Sequence, residues 1–411
     1  MVKNRIEELS FFGGAPAFDR TLHVGRPNIG NRERLLSRFN DLLDRDWLTN
    51  NGPYVHDFEK RIEMILGVKH CVAMCNGTVA LEIAARALGL KGEVIIPSFT
   101  FISTAHCLQW QEITPVFCDV GSDDYTIDPA RIEALITPRT SGIIGVHLWG
   151  RTCRVDDIEA IAGKHNLKLL FDASHSFCCS HRGRMVGGFG CAETFSFHAT
   201  KFINTFEGGA VVTNDDQLAE KMRLMKNFGF KGMDNVIYIG TNGKMSEIAA
   251  AMGITSLEDM DHFIDCNRKN YYAYSRGLAD CSGMKIMAYD EGQKNNYQYV
   301  VVEIDGEKAG ISRDELLTIL HAEGVRARRY FYPGCHRMEP YRSYFPHAGL
   351  LLPVTERLAE RVLCLPTGTE VGDGDIATIC ELLKFIFDHA DAIRRQFRDP
   401  ESRHEGLTAI P

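Results

Sequence analysis

No apolar run in the sequence approaches the roughly 20 residues that a membrane-spanning helix requires. The opening MVKNRIEELSFFGG has neither an apolar signal core nor a small-residue cleavage site, so a cytoplasmic protein is expected. Low-complexity tracts and internal repeats of solenoid period are absent as well, which excludes repeat and linker architectures. Positive charge is in short supply. Lys and Arg number 46 against 54 Asp and Glu, a formal net charge of −8, so general attraction to nucleic acid is excluded. The 13 cysteines are odd in number and include no CxxC pair, which argues against a disulfide framework and against a zinc site. Cys71, Cys107, Cys118 and Cys364 lie in apolar segments and read as buried reduced thiols, with no metal expected.

What is present is an ordinary globular composition, 45% hydrophobic and 24% charged, in 411 residues, enough for two or three domains. Helical spacing appears over 35–48 and 54–67. Strand-like and helical segments then alternate: HCVAMC, a helix over 77–90, EVIIPS, a helix over 102–109, TPVFCDV, GIIGVHLWG, a helix over 155–165, LKLLFDAS, and the short runs TFSF and AVVT. This alternation predicts an α/β fold with a mostly parallel central sheet covered on both faces, the direction of the last two strands left open. A turn near 238–243 precedes helices over 245–257 and 261–278. Strands such as YQYVVVEI and helices such as RDELLTILHAEG then suggest a smaller α+β domain. The expected organisation is an N-terminal arm (1–25), a large domain (26–260) and a small C-terminal domain (261–411), ending in a frayed polar stretch from 395 onward.

In open α/β sheets ligands bind beyond the carboxyl ends of the strands. At those ends stand Asn76-Gly77-Thr78, opening a helix whose free N–H groups suit a phosphate; Thr100-Phe101, an aromatic able to cover a planar ligand; Asp172 with His175; and Ser196, His198 and Lys201. Each alone is ordinary, since Asn and Thr cap many helices and a strand-end carboxylate can cap the next segment. In order they form a phosphate cup, an aromatic cover, a carboxylate and an amine favoured in its neutral form. That set matches pyridoxal 5′-phosphate (PLP), which needs a lysine to bond its aldehyde and an acid to keep its ring nitrogen protonated.

The motifs CNGTVALEIA, PSFTFISTAH, PVFCDV, HLWG, FDASHS, SFHATK…FEGGAVVT, TNGKMSEIAAAMG and YFYPGCH closely resemble the DegT/DnrJ/EryC1/StrS family of sugar aminotransferases over nearly the whole chain. The resemblance implies a fold-type I aminotransferase working as a homodimer. It further implies Lys201 as the covalent attachment point of PLP, Asp172 as partner of the ring nitrogen and His175 beside the phenolic oxygen or Asp172. Phe101 would stack on the ring. Gly77, Thr78 and Ser196 would bind the phosphate, and Asn242 of TNGKMS would reach it from the other subunit. Family members with histidine at the lysine position are dehydratases; here the residue is lysine.

FFGGAPAF…HVGRPNIG, HLWGRTC, KNFGF and PGCHRMEPY resemble the family's aminotransferases of antibiotic deoxysugar pathways, which implies TDP-4-keto-6-deoxyglucose as substrate and L-glutamate as donor. Arg26 and the arginines of VRARRY, Arg328 among them, are expected to meet the nucleotide diphosphate. Tyr330 and His336 are similar to the family's substrate-site residues. Two alternatives stand beside this expectation: a 3-aminotransferase acting on a 3-keto isomer, and a PLP-binding regulatory protein without turnover.

Overall fold

The computed structural model describes residues 3–398. Its centre is a seven-stranded sheet in the spatial order His70–Met74, Gly209–Thr213, Ala192–Ser196, Lys168–Asp172, Thr140–Val146, Glu93–Pro97 and Thr114–Cys118. Gly209–Thr213 runs against both of its neighbours, and every other adjacent pair is parallel. The direction left open by the sequence is thereby fixed: Ala192–Ser196 is parallel to Lys168–Asp172, and Gly209–Thr213 is the one reversed strand. The strands are near-continuous apolar runs because helices cover both faces, one core gathering around Phe58, Phe171 and Phe195 and the other around Leu81, Ile96 and Leu170.

Helix boundaries follow the caps more closely than the apolar period. The first long helix is Arg32–Asp44 rather than 35–48: Asn31 accepts a hydrogen bond from Arg34 N at 2.9 Å, and Asp46 turns the chain with φ 52. Ser246 likewise starts Glu247–Glu258 two residues later than the apolar pattern suggests, and its side chain accepts from Ala249 N. The buried helix Glu247–Glu258 is followed by the amphipathic Met260–Gly277.

A second sheet, in the order Met284–Ile286, Val300–Ile304 and Val362–Leu365, is antiparallel throughout and packs with Asp373–Asp388 in a third core. Leu9, Phe18 and Leu22 from the N-terminal segment are buried in this same core. Leu22–His23 also pairs in parallel with Val325–Arg326. The segment expected as an arm is thus stitched to the C-terminal part of the chain. The last helix, Ala390–Arg398, takes in the start of the stretch expected to fray; the rest of that stretch lies outside the described residues. No helix among the described residues is long and apolar enough to cross a membrane. No cluster of three or more metal-ligating side chains occurs among them.

Candidate active site

A cavity of about 660 Å³ opens at the carboxyl edge of the seven-stranded sheet. Gly77, Thr78, Phe101, Asp172, His175, Ser196, Lys201, Arg328 and Tyr330, nine residues singled out from the sequence, all line it. A cavity of about 690 Å³ at the opposite edge, beside Lys168, Cys191 and Asp215, holds none of them.

Lys201 sits in the irregular loop between Ala192–Ser196 and Gly209–Thr213, turned by a hydrogen bond from its own N–H to His198 O at 2.8 Å. Two effects oppose each other at its amine. Burial favours the neutral form, the nearby Asp172 carboxylate favours the charged form, and burial wins: the pKa falls from 10.5 to about 8. A substantial neutral fraction is therefore present at mildly alkaline pH, where an ordinary lysine is almost wholly charged.

Asp172 ends its strand buried, and both carboxylate oxygens are held. Oδ1 accepts from Ser174 N at 3.1 Å and Ser174 Oγ at 2.6 Å; Oδ2 accepts from Thr104 Oγ1 at 2.9 Å. These bonds fix the direction of the carboxylate. His175 is buried among aromatic rings, Tyr299 at 4.7 Å and Phe331 at 5.8 Å between centroids. Burial, seconded by the positive charge of Lys201, holds its pKa well below the ordinary 6.5, so the ring is neutral. Its Nδ1 accepts from Trp149 N at 3.4 Å, which places the proton on Nε2.

The floor beside Gly77 is shaped by close backbone approach. A Cβ on Gly77 would lie 2.9 Å from Ser196 Cβ, and one on Gly209 would lie 2.6 Å from the carbonyl of Asn76 and the nitrogen of Gly77. Asn76 caps the helix Gly77–Ala87 by accepting from Val79 N at 2.8 Å, with the first-turn N–H groups beside Ser196. The result is a small polar cup at a helix N-terminus, suited to a phosphate. Phe101 is 55% exposed, an aromatic ring left uncovered where a planar ligand can cover it.

Three expected site residues lie elsewhere. Arg26 lines a separate cleft with Asn31, Asp259 and Glu370. Asn242 is exposed on the surface, its backbone bridged to Asn227, and does not line this chain's cavity. His336 is 2% exposed and both ring nitrogens are occupied, Nδ1 with Ser98 Oγ at 2.7 Å and Nε2 with Glu356 Oε1 at 2.6 Å. It fastens the loop that carries Tyr330 and Phe331 to the end of the strand Glu93–Pro97. Arg329, expected with Arg328 to grip an anion, is paired with Asp314 at 3.1 Å and stacked on Tyr332 at 4.3 Å. Arg328 alone of the VRARRY arginines lines the cavity, its guanidinium 5.1 Å from the Tyr330 ring centre.

Sequence reasoning missed Thr104, Tyr299 and Phe331. Thr104 was legible in principle as a hydroxyl one helical turn beyond Thr100, in the segment after Phe101. Tyr299 is brought in by the fold from a distant segment, and Phe331 stands directly beside the expected Tyr330.

Residues 30–384 match the family model described as the DegT/DnrJ/EryC1/StrS aminotransferase family. A dTDP-4-amino-4,6-dideoxy-D-glucose transaminase of Shigella dysenteriae is 37% identical over 371 residues, covering 90% of this chain and all of the relative. The transaminase of the same name from Escherichia coli is 34% identical over 367 residues, covering 89% of this chain and 98% of that one. The crystal structure of DesI, obtained in the presence of its TDP-sugar product, is 50% identical and superposes with a TM-score of 0.93, covering 96% of this chain and all of DesI.

Proposed function

Because the chain belongs to the DegT/DnrJ/EryC1/StrS aminotransferase family, we propose that it moves an amino group from L-glutamate to the C4 keto carbon of TDP-4-keto-6-deoxy-D-glucose, giving TDP-4-amino-4,6-dideoxyglucose. The observation that carries this reading is Lys201, an amine on the cavity floor whose pKa is lowered to about 8 beside a firmly held carboxylate. The names of the Shigella and Escherichia relatives favour C4 over the 3-keto isomer, and their end-to-end match favours an enzyme over a regulatory protein without turnover.

The residues present fit PLP. The cup at Gly77 has no room for a side chain, the donor set pairs a buried carboxylate with a partly neutral amine, and an aromatic ring stands uncovered between them and solvent. Gly77, Thr78 and Ser196 would hold the phosphate, Asp172 the ring nitrogen, Phe101 a ring face, and Lys201 the aldehyde carbon. When bound, PLP supplies an aldehyde that accepts amines and a ring that withdraws electrons from the reacting carbon.

The protein's own groups do the rest. Neutral Lys201 Nζ is the attacking amine. With PLP and the amino donor bound, the same Nζ would act as general base for the donor's α-carbon proton and, on the keto sugar, as the acid that returns a proton to the sugar carbon. Asp172, its oxygens held by Ser174 and Thr104, would face the ring nitrogen and favour its protonated form. His175, neutral with its proton on Nε2, is a donor rather than a second positive charge. Arg328 and Tyr330, which line the cavity, would meet the diphosphate and sugar, and Phe101, Tyr299 and Phe331 would limit water there.

The chain is read further as a homodimer in which Asn242 completes the neighbouring protomer's site. Exposed Trp47, Leu48, Phe206, Phe228, Ile239 and Ile248 support this. Leu48 O accepts from Glu247 N at 3.0 Å and Phe228 N donates to Thr241 O at 3.1 Å, so these segments share one face with Asn242. The division at 260/261 accords with the seven-stranded sheet lying before it and the three-stranded sheet after it. We propose that the chain acts in the cytoplasm.

L-Glutamate added to the yellow, PLP-loaded protein should remove the visible absorption band and release 2-oxoglutarate in equal amount. A band unchanged by glutamate, though other amino acids discharge it, would refute the choice of donor.

A further inference from the structure

The segment His23–Gly30, HVGRPNIG, takes no part in the cavity apart from Val24. Its position relative to Lys201 is nevertheless close on both sides. Gly25 has φ +74, and a Cβ there would stand 3.0 Å from both Cβ and O of Thr200, the residue before the lysine. Asn28, 4% exposed, donates from Nδ2 to the carbonyl of Phe202, the residue after it, at 3.0 Å. The other end of the same amide, Oδ1, accepts from Thr369 Oγ1 at 2.8 Å, and the Asn28 backbone carbonyl accepts from Asn204 Nδ2 at 2.8 Å. The lysine loop is otherwise held mostly by bonds within itself, Lys201 N to His198 O, Thr200 N to His198 Nδ1, Phe197 N to Gly208 O, Thr205 N to Phe197 O and Phe206 N to Asn204 Oδ1, with Asn204 N to Ser256 Oγ at 3.2 Å reaching outside it.

We propose that Asn28 is a positioning residue for the reactive amine, its buried amide pinning the backbone beside Lys201 to the C-terminal part of the chain at Thr369. The proposal rests on the reading of Lys201 as that amine. An amide is required because one side chain must donate at one end and accept at the other; alanine does neither, and a carboxylate cannot donate. The Phe202 carbonyl fixes which way the amide points, since in the flipped orientation Oδ1 would face a second acceptor and that bond would be lost. With the pin removed, the loop is free to admit water at the lysine, and the burial that lowers its basicity weakens. The titratable groups facing the amine are Asp172 and His175, with His147, His198, Glu207, Tyr299, Arg328 and Tyr330 in the same cavity. The Asn28 substitution alters none of these.

The test uses Asn28→Ala and Thr369→Val in the full chain without PLP. Competitive acetylation with acetic anhydride across pH, read at Lys201 by mass spectrometry against exposed Lys91, gives the midpoint of the amine. Wild type should show a midpoint near 8. Asn28→Ala should raise it by about half a unit or more toward the free-lysine value, and Thr369→Val should move it in the same direction by less. In the loaded enzyme Asn28→Ala should lower kcat by about 10- to 100-fold, the scale of a misplaced reacting group, with KM for the sugar nucleotide changed far less. A wild-type midpoint and kcat in Asn28→Ala, or a lowered Tm with the midpoint unmoved, overturns the proposal. If Asn28→Ala does not fold, the Thr369→Val midpoint decides it alone: a raised value supports, an unchanged one overturns. A wild-type Lys201 that titrates as an ordinary lysine would instead defeat the underlying assignment of the amine.

Discussion

Lys201→Ala is expected to abolish turnover, lowering kcat by at least about 10⁴-fold, because it removes the attacking amine together with a proton transfer that by itself contributes roughly 10²- to 10⁴-fold. The loss should appear in both half-reactions, since one Nζ serves glutamate and sugar alike. Lys201→Arg should be equally inactive: a guanidinium keeps its proton at every pH the protein survives and cannot condense with an aldehyde. Both variants should fold, because neither removes a charge on which the core depends. Lys201 is on the cavity wall, and Asp172 keeps its bonds from Ser174 and Thr104. Single-turnover absorbance with L-glutamate, paired with circular dichroism of each variant, checks the expectation. Residual turnover within tenfold of wild type in Lys201→Ala would place the reactive amine elsewhere.

Asp172→Asn should leave the amine in place and weaken the electron sink. A carboxylate close to a cation raises the cation's pKa by roughly 1 to 3 units, so at neutral pH its loss should lower the protonated fraction of the ring, and with it kcat, by about 10- to 1,000-fold. The amide is nearly isosteric and can still accept from Thr104, so PLP uptake should survive while turnover does not. The substitution also removes the negative charge that partly offsets burial at Lys201, so the amine's pKa should fall further below about 8. That second shift has the opposite sign from the one expected of Asn28→Ala, so the two variants separate a charge effect from a positioning effect. An Asp172→Asn enzyme with wild-type kcat would show that the carboxylate is only structural.

Much of this site could be read from the sequence, for a physical reason. The cup at Gly77, the carboxylate at 172 and the amine at 201 each follow an apolar strand, and a parallel sheet brings successive strand ends to one edge. What could not be read was contributed by packing between distant segments. Tyr299 and Phe331 belong to runs whose period and composition are those of ordinary core, and only docking on His175 gives them a role. His336 is the converse case: expected at the substrate site from the family resemblance alone, it is buried with both nitrogens bonded to Ser98 and Glu356. Arg26 and Arg329 were singled out for charge alone, and charge does not say whether a carboxylate already stands opposite, as Asp314 does for Arg329. The direction of the strand Gly209–Thr213 was likewise beyond sequence, because a buried strand reads alike in either direction.

The most direct test of the central claim is the structure of the product. The purified protein, loaded with PLP, is incubated with L-glutamate and TDP-4-keto-6-deoxyglucose, and the sugar is examined by NMR. The account predicts a new amine on C4, formed in step with 2-oxoglutarate. A sugar returned unchanged, while glutamate still discharges the visible band, would contradict the assignment of the 4-keto substrate.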